Sequence, residues 1–450
     1  MNAYKKYYII AGTSILAGLI GALILFFETL KQSIGYVNIM LTLNMFLIVI
    51  PSFYYIFLHR SAVNIFAPCV YPLAAFSILY VIPSIILRHK LYDNRLPLDI
   101  QTIGILTYLC GAMLYYQFFY KRNNLPSRVI SVVPLSYAKQ NRTVMMFFFI
   151  TGLVLLAVYG WISGITMSFF EKIDLSDLRR STEIGKGFIK EPAVFFVTFS
   201  FVWFFGVSLS KNKGHALKYF GLLSLVALIV FITTANNTAV FYLIFFSYGL
   251  YNKYFNISFA KMSIFGFFIV FLIGAVSTVR MGQVIIFGNV IKHLFFIHHE
   301  VYDMSYMPIV KLIQLGILKF QYGVEYLQNA AIIIPRFLWK EKPVGFDYFL
   351  KDLLNLGFSG GGVPATPFGS LYLNFNIIGV IVGGIIMGFL YSSLYEIYLE
   401  ERDIFAALVA LYSLPAVMNP SLFLSYLVLL CFFIIVMLSI NKILAVIGTH

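Results

Sequence analysis

Charged side chains are scarce in this chain. Asp, Glu, Lys and Arg make up 11% of its 450 residues, whereas 60% are hydrophobic and the mean hydropathy is +0.88. So few charged residues cannot cover the surface of a soluble domain of this length. The composition therefore excludes a soluble protein. The apolar runs are long and do not alternate with polar residues, which predicts helices. The sequence therefore predicts an all-α polytopic membrane protein.

Cysteine and histidine are also scarce, with 3 and 7 residues. Cys69, Cys110 and Cys431 all lie in apolar runs, where a small packed side chain is expected instead of a disulfide or a metal ligand. The histidines show no spacing typical of a zinc site. The sequence therefore predicts no metal site and no cofactor.

About twelve apolar runs are candidates for membrane-spanning helices, because a helix needs roughly 20 apolar residues to cross the hydrocarbon core. The predicted spans are 8–27, 34–58, 62–87, 100–120, 144–166, 193–209, 219–233, 239–251, 262–279, 371–391, 404–417 and 422–440.

The loop 121–142 sets the predicted orientation, because it carries five Lys or Arg residues and no acid. This loop should be cytoplasmic, which places the loops 167–191 and 280–370 outside. Residues 1–279 then hold the first nine spans, 280–370 form a large outward loop, and 371–450 hold the last three spans. Most of the net positive charge falls on inner segments, because most acidic residues lie in the outward ones, so the expected partner is the lipid bilayer and no nucleic acid.

The large outward loop is predicted to be partly helical. Its first part, "VIKHLFFIHHEVYDMSYMPIVKLIQLGILKF", has apolar residues at helical spacing. Its later part, which includes "SGGGVPATP", is rich in residues that favour turns. Loops of this kind over a rigid helix bundle commonly carry function.

Two smaller features contain candidate ligand contacts. In the loop 167–191, Arg179 and Arg180 offer planar charged groups that suit phosphate, with ordinary surface ion pairs as the alternative. The hairpin 231–241 lies between helices that are predicted to be short for a bilayer. Its tip lies either in a wet cavity or in a turn on a thinned membrane. Asn236 and Asn237 at this tip are able to hydrogen-bond a sugar.

The segment "IGVIVGGIIMG" repeats glycine at four-residue spacing, as Gly379 with Gly383 and Gly384 with Gly388. Small residues at this spacing allow two helices to approach closely in a membrane. We therefore expect a structural role for these glycines.

The segments "IIIPRFLWKEKP" and "ATPFGSLYLNFNIIGV", followed by the glycine-rich helix, resemble those of bacterial O-antigen or oligosaccharide repeat-unit polymerases of the Wzy type. The resemblance implies a GT-C-like, metal-independent glycosyltransferase in the bacterial cytoplasmic (inner) membrane. Such an enzyme moves a growing O-antigen or capsule-type glycan from undecaprenyl diphosphate to the terminal sugar of an undecaprenyl-diphosphate-linked repeat unit, on the outer face. A chain-length regulator is a candidate partner.

Family members use arginines of the outward loops, which indicates Arg280 in "TVRMG" and Arg336 in "PRFLW", with Arg179 and Arg180 as weaker matches. Arginine binds two phosphate oxygens at once, and cations must stabilise the charge that develops on a diphosphate leaving group when no metal is used. For Arg280, an interfacial anchor is the alternative. Relatives commonly have a basic residue in the short hairpin, where this chain has "TTANNTA", so diphosphate binding is expected from the loops.

Attack by a sugar hydroxyl needs a group that accepts its proton. Glu300 in "IHHEVYD" is the first choice, with a wet face of a surface helix as the alternative. The other outward candidates are Asp303, His298, His299 and Asp347. Trp339 is a candidate for stacking against a sugar, although tryptophan at a membrane boundary is also a common interfacial anchor.

Two other functions fit the same composition. An O-antigen ligase usually has a functional histidine in the large loop, and His298 or His299 keeps this alternative open. However, "ATPFGSLYLNFNIIG" has no histidine just before the helix that follows the loop, which favours the polymerase. A lipid-linked oligosaccharide flippase is the non-enzymatic alternative. A transporter should show two related halves and charged residues within its spans, and the sequence shows neither.

Overall fold

A computed structural model of the chain describes residues 33–59, 63–119, 142–170, 187–211, 215–235, 237–255, 257–280, 286–290, 301–331, 334, 338–341, 343, 346–355, 365–400 and 403–447. These residues are predominantly helical, and no strand occurs among them. The all-α prediction is confirmed.

The helices in chain order are α1 (Ser33–Leu58), α2 (Tyr71–Ile86), α3 (Leu96–Phe119), α4 (Arg142–Ser163), α5 (Ile165–Phe170), α6 (Gly187–Lys211), α7 (His215–Thr234), α8 (Asn237–Tyr254), α9 (Phe259–Arg280), α10 (Met307–Gln314), α11 (Val324–Ala331), α12 (Phe346–Leu353), α13 (Pro367–Glu400), α14 (Ile404–Val417) and α15 (Pro420–Ile447). A short turn of helix, Arg88–Leu91, follows α2, and a π-helical turn, Tyr302–Tyr306, precedes α10.

Each predicted span that the structure describes contains a helix, although the helix in the span 62–87 begins only at Tyr71, and the span 8–27 lies outside the described residues. Among the described residues, six helices are long and apolar enough to cross a membrane: Gly35–Leu58, Leu96–Phe119, Arg142–Ser163, Ile189–Leu209, Pro367–Glu400 and Phe423–Ile440. Shorter apolar helices are Tyr71–Ile86, Gly221–Thr234, Phe259–Phe268 and Ile404–Val417. The fold is that of an all-α membrane protein, and twelve crossings stay a prediction.

Segments predicted outside the membrane lie together at one end of the helix bundle. The Lys90 ammonium donates to the Asp303 carboxylate at 2.7 Å. At the same end, the side-chain nitrogen of Asn329 donates to the Ser421 carbonyl at 3.2 Å. These bonds fix the large loop against the start of α15 and the segment that follows α2.

Segments predicted inside lie together at the opposite end of α2 and α13. The Val63 backbone N–H donates to the Ile257 carbonyl at 3.0 Å, and the Asn252 side chain donates to the Val63 carbonyl at 3.0 Å. The Lys253 ammonium donates to the Leu399 carbonyl at 3.1 Å. Segments that the sequence places on one side of the membrane thus lie at one end of the bundle.

Glycines hold α3 and α13 close together. A Cβ on Gly384 would lie 2.1 Å from Thr107 Oγ1, and one on Gly388 would lie 2.0 Å from the Tyr108 carbonyl oxygen. Real side chains do not approach so closely, so glycine is required for this contact between the two helices. The predicted structural role of the glycines is confirmed for this pair.

α13 folds back on itself near its start. Phe375 and Asn376 leave the helical conformation, and Asn376 has a φ of 59°, which asparagine tolerates better than most residues. A Cβ on Gly379 or Gly383 would lie 2.5 Å or 2.4 Å from atoms of Leu371. A straight helix would separate residues 371 and 383 by about 18 Å. Residues 367–374, the folded-back segment, therefore lie alongside the helix that follows them.

This break corrects the predicted start of the tenth span. The sequence predicts a continuous helix from residue 371 to 391, whereas the structure begins the helix at Pro367 and interrupts it at Phe375 and Asn376. The first residues of the predicted span belong to the folded-back segment. Their polar side chains consequently face the large loop.

The hairpin 231–241 joins α7 and α8, and the apolar part of α7, Gly221–Thr234, is one of the shorter apolar helices. Its flanking helices α7 and α8 have 20 and 18 residues, so they are longer than the 15 and 13 residues of the predicted spans 219–233 and 239–251. Ala235 at the tip has a φ of 48° and is fully buried against Tyr159 and Ile165. Asn236 lies outside the described residues, so the wet cavity and the turn on a thinned membrane both stay predictions for the tip.

Candidate functional site

Most of the predicted ligand contacts are not among the described residues. Arg179, Arg180, Asn236, Glu300 and Arg336 lie outside the described residues, as do His298 and His299. Arg280 is the last residue of α9, and Asn237 is the first residue of α8. The roles assigned to these residues stay predictions.

Trp339 lies in the large loop with 42% of its surface exposed, beside Leu338 with 71%. An exposed indole at this place is accessible to a sugar and equally to a membrane interface. Both interpretations of Trp339 therefore stay open.

Asp303 and Asp347 differ sharply in their surroundings. Both oxygens of Asp303 accept from Lys90 at 2.7 Å, so this carboxylate forms a partly exposed ion pair. Asp347, in the first turn of α12, has a buried Oδ1 with no hydrogen-bond partner among the described residues. Of the two predicted proton acceptors that the structure describes, Asp347 has the environment that fits that role.

Glu325 is a buried carboxyl group that the sequence analysis did not select. It is the second residue of α11 and has no exposed surface. Its Oε2 accepts from Ser370 Oγ at 2.8 Å and from Asn374 Nδ2 at 2.6 Å. Its Oε1 is buried and has no hydrogen-bond partner in the described part of the chain. Glu325, Asp347, Ser370 and Asn374 are called the carboxyl cluster below.

The backbone before α11 pairs with the end of the folded-back segment and so positions Glu325. The Gln321 N–H donates to the Leu373 carbonyl at 3.0 Å, and the Tyr322 N–H donates to the Asn374 carbonyl at 3.1 Å. Tyr322 and Gly323 have φ values of 48° and 89°, a left-handed turn that glycine adopts at little cost. This turn directs α11 back across the polar face of the folded-back segment.

Burial governs the protonation of the cluster. The pKa of Glu325 is raised to about 7, chiefly by removal from water; the donors Ser370 and Asn374 oppose this change, and the Asp347 charge adds to it. Burial also raises the pKa of Asp347 to about 7. Burial raises the pKa of the Tyr326 hydroxyl to about 12, and the nearby Ser370 and Asn374 side chains oppose this change. A carboxyl that titrates near neutral pH can accept and return a proton under physiological conditions.

The raised pKa of Glu325 predicts that the folded protein becomes less stable as the pH rises from about 4.5 to about 7. The unfolded chain releases this proton near the ordinary pKa of 4.5, whereas the folded protein keeps it to about 7. The folded state therefore binds more protons in this window, which is worth about 3 kcal/mol. We expect the unfolding temperature of the purified protein in detergent to decrease over this range.

In the Glu325→Gln variant, this decrease should become smaller. It should not vanish, since the raised pKa of Asp347 acts in the same direction. An equal pH dependence of unfolding in the variant and the wild-type protein would contradict the assignment of this proton to Glu325.

No protein-family model, curated protein or solved structure matches this chain. The fold and the site define an all-α membrane protein with a buried carboxyl cluster where the large loop meets a broken helix.

Proposed function

We propose that the chain is an oligosaccharide repeat-unit polymerase, a metal-independent glycosyltransferase of the GT-C-like class. It transfers a growing glycan from undecaprenyl diphosphate to the terminal sugar of an undecaprenyl-diphosphate-linked repeat unit. In this proposal the protein crosses the bacterial cytoplasmic membrane about twelve times, and the large loop faces the periplasm or the exterior. The resemblance of the loop segments to Wzy-type polymerases suggests the reaction.

The observation that supports this proposal best is the free oxygen of Glu325. In the proposed reaction, the acceptor hydroxyl oxygen bonds to the anomeric carbon of the donor as the bond from that carbon to the diphosphate oxygen breaks. Undecaprenyl diphosphate leaves with the electron pair, and the hydroxyl proton passes to Glu325 Oε1. A buried carboxyl with a pKa of about 7 and one unpartnered oxygen suits this transfer.

The leaving diphosphate needs positive charge, which the proposal assigns to Arg280 and Arg336, with Arg179 and Arg180 as secondary contacts. Removing Arg280 or Arg336 by substitution with Ala is expected to slow chain extension by about 10- to 100-fold, the range for losing a hydrogen bond to a charged group. Arg280→Lys should recover part of the rate, since a point charge lacks the bidentate geometry.

The matched control is Arg88→Ala, which removes an exposed arginine from the end of the bundle where Lys90 meets the large loop. Glycan length and membrane abundance are measured for each variant. Unchanged glycan length in both Arg280→Ala and Arg336→Ala would refute their role at the diphosphate.

The proposed function is tested with purified protein in liposomes that contain lipid-linked repeat units. Longer glycans on undecaprenyl diphosphate are the expected product, without added metal and in the presence of a chelator. Labelled repeat units that cross the bilayer without becoming longer would refute the polymerase.

A lipid-linked oligosaccharide transporter is the second candidate, and one observation favours it. Broken helices and buried carboxyl groups near them are typical of transporters, and α13 breaks beside Glu325. The same liposome experiment separates the two functions, because a transporter changes the leaflet of the repeat unit and a polymerase changes its length.

A further inference from the structure

Asn374 connects the parts of the carboxyl cluster. Its side-chain nitrogen donates to Glu325 Oε2 at 2.6 Å and to the Ser370 carbonyl at 2.9 Å, and its side-chain oxygen accepts from the Gly323 N–H at 2.8 Å. Asn374 is fully buried. Both donors of the amide are used inside the protein. Asn374 is therefore placed to hold Glu325, and it has no donor left for a ligand.

The two donors of the cluster act on the same oxygen of Glu325. Ser370 Oγ donates to Oε2 at 2.8 Å, as Asn374 does, whereas Oε1 receives no hydrogen bond from the described residues. A carboxylate that is held at one oxygen presents the other in a defined direction. The folded-back segment thereby determines which oxygen of Glu325 is free.

We propose that Ser370 and Asn374 are positioning residues that select Oε1 of Glu325 as the atom that receives the acceptor proton, an inference that rests on the proposed polymerase function. Hydrogen bonds to a carboxylate also favour its ionised form, which the proton acceptor must adopt before each transfer. Among the described residues, the titratable groups beside Glu325 are Asp347 of α12 and Tyr326 of α11. Asp347 opposes ionisation of Glu325, so the two donors offset this effect.

The pH dependence of chain extension tests this role in Ser370→Ala and Asn374→Ala. Loss of one donor to a carboxylate is expected to raise its pKa by about one unit. The acid limb of the rate profile should therefore move up by about one pH unit in each variant. Ser370→Thr keeps the hydroxyl and should keep the wild-type limb.

Ser392→Ala is the matched control, because Ser392 is a buried serine of the same helix whose hydroxyl donates to the Gly388 carbonyl at 2.8 Å. Its acid limb should coincide with that of the wild-type protein. A residue with a merely structural role would lower the rate at every pH and leave the limb in place.

Infrared difference spectroscopy follows the same proton without turnover. The carboxylic C=O band that Glu325→Gln lacks should titrate about one pH unit higher in Ser370→Ala. The bond from the Gly323 N–H to Asn374 does not involve the Ser370 side chain, so Ser370→Ala keeps it. Ser370→Ala therefore tests the proposal even if Asn374→Ala fails to fold. An unshifted band together with an unshifted limb in folded Ser370→Ala would overturn the proposal.

The two readouts separate the failure of the inference from the failure of the proposed function. If the wild-type protein extends no lipid-linked glycan, the polymerase is refuted, and the infrared titration still decides whether Ser370 and Asn374 act on Glu325. If extension occurs and neither readout moves in the variants, the polymerase stands and the positioning role is refuted.

Discussion

The Glu325→Gln variant is expected to extend glycans about 100- to 10,000-fold more slowly than the wild-type protein at neutral pH, the range by which a proton acceptor accelerates such reactions. Glutamine has nearly the same shape, and its carbonyl oxygen is able to accept the bonds from Ser370 and Asn374. It cannot accept the proton of a sugar hydroxyl. The variant should therefore fold normally and bind substrate but fail in chemistry.

Glu396→Gln is the matched control for this substitution. Glu396 is a buried glutamate near the other end of α13, and its Oε1 accepts from the Tyr116 hydroxyl at 2.7 Å. Its variant removes the same kind of group far from the cluster, and chain extension should continue. Rates are measured with purified proteins of equal abundance and the same lipid-linked repeat unit.

Glu300→Gln separates Glu325 from Glu300, the first choice of the sequence, as the proton acceptor. If Glu300 fills that role, its variant loses chain extension and Glu325→Gln retains it. Normal extension by folded Glu325→Gln would thus remove Glu325 from the reaction and leave Glu300 and the other predicted candidates.

The wild-type rate should itself depend on pH. A proton acceptor must be ionised, so the rate is expected to rise as the pH passes through about 7, the pKa to which burial raises Glu325. This direction is opposite to that of stability, which decreases over the same range because ionisation of a buried carboxyl is unfavourable. Over this pH range the rate of chain extension should therefore rise while the stability of the folded protein decreases.

The helices were predictable because a bilayer leaves the backbone few alternatives. An apolar run must satisfy its own N–H and C=O groups, so the run predicted at 144–166 forms α4 and the run at 404–417 forms α14. The ends were less predictable. α2 begins at Tyr71 instead of residue 62, because a turn that starts at Asn64 comes before it. The Asn64 side-chain oxygen accepts from the Phe66 N–H at 2.9 Å.

The break in α13 could not be predicted from its local sequence. Sharp bends usually occur at proline or at glycine, and "NFN" at residues 374–376 contains neither. The break depends on the contact of Leu371 with Gly379 and Gly383, which exists only once the segment has folded back. The sequence predicted that these glycines pack closely, but it did not identify Leu371 of the same helix as their partner.

The carboxyl cluster was missed for a related reason. Glu325 and Asn329 lie four residues apart on α11, as Ser370 and Asn374 do on α13, so each helix places its polar pair on one face. This spacing is a signal that the sequence contains. The sequence does not show which helix faces meet. Glu325 and Ser370 are 45 residues apart in the chain, and the fold brings them together.

The Gly388→Ala variant is expected to lose most of its folded protein, because the new Cβ would lie 2.0 Å from the Tyr108 carbonyl oxygen and 2.8 Å from the Ala112 nitrogen. Both are backbone atoms of α3, so no side-chain rotation relieves the clash, and the two helices must separate. Overpacking typically costs about 1 to 3 kcal/mol, and a clash with backbone should reach the upper end or exceed it. This corresponds to a decrease of roughly 100-fold in the ratio of folded to unfolded protein.

Gly266→Ala is the control, since a Cβ on this glycine of α9 meets no atom within 4 Å. It should leave the yield of monodisperse protein in detergent unchanged or increase it slightly, because alanine is the better helix former. Gly111→Ala tests the same interface from the other side, as its Cβ would lie 2.0 Å from the Ile385 carbonyl oxygen. The double variant with Gly388→Ala should cost less than the sum of the two, because one separation of α3 from α13 relieves both clashes. Equal yields for Gly388→Ala and Gly266→Ala would show that the two helices do not pack as described.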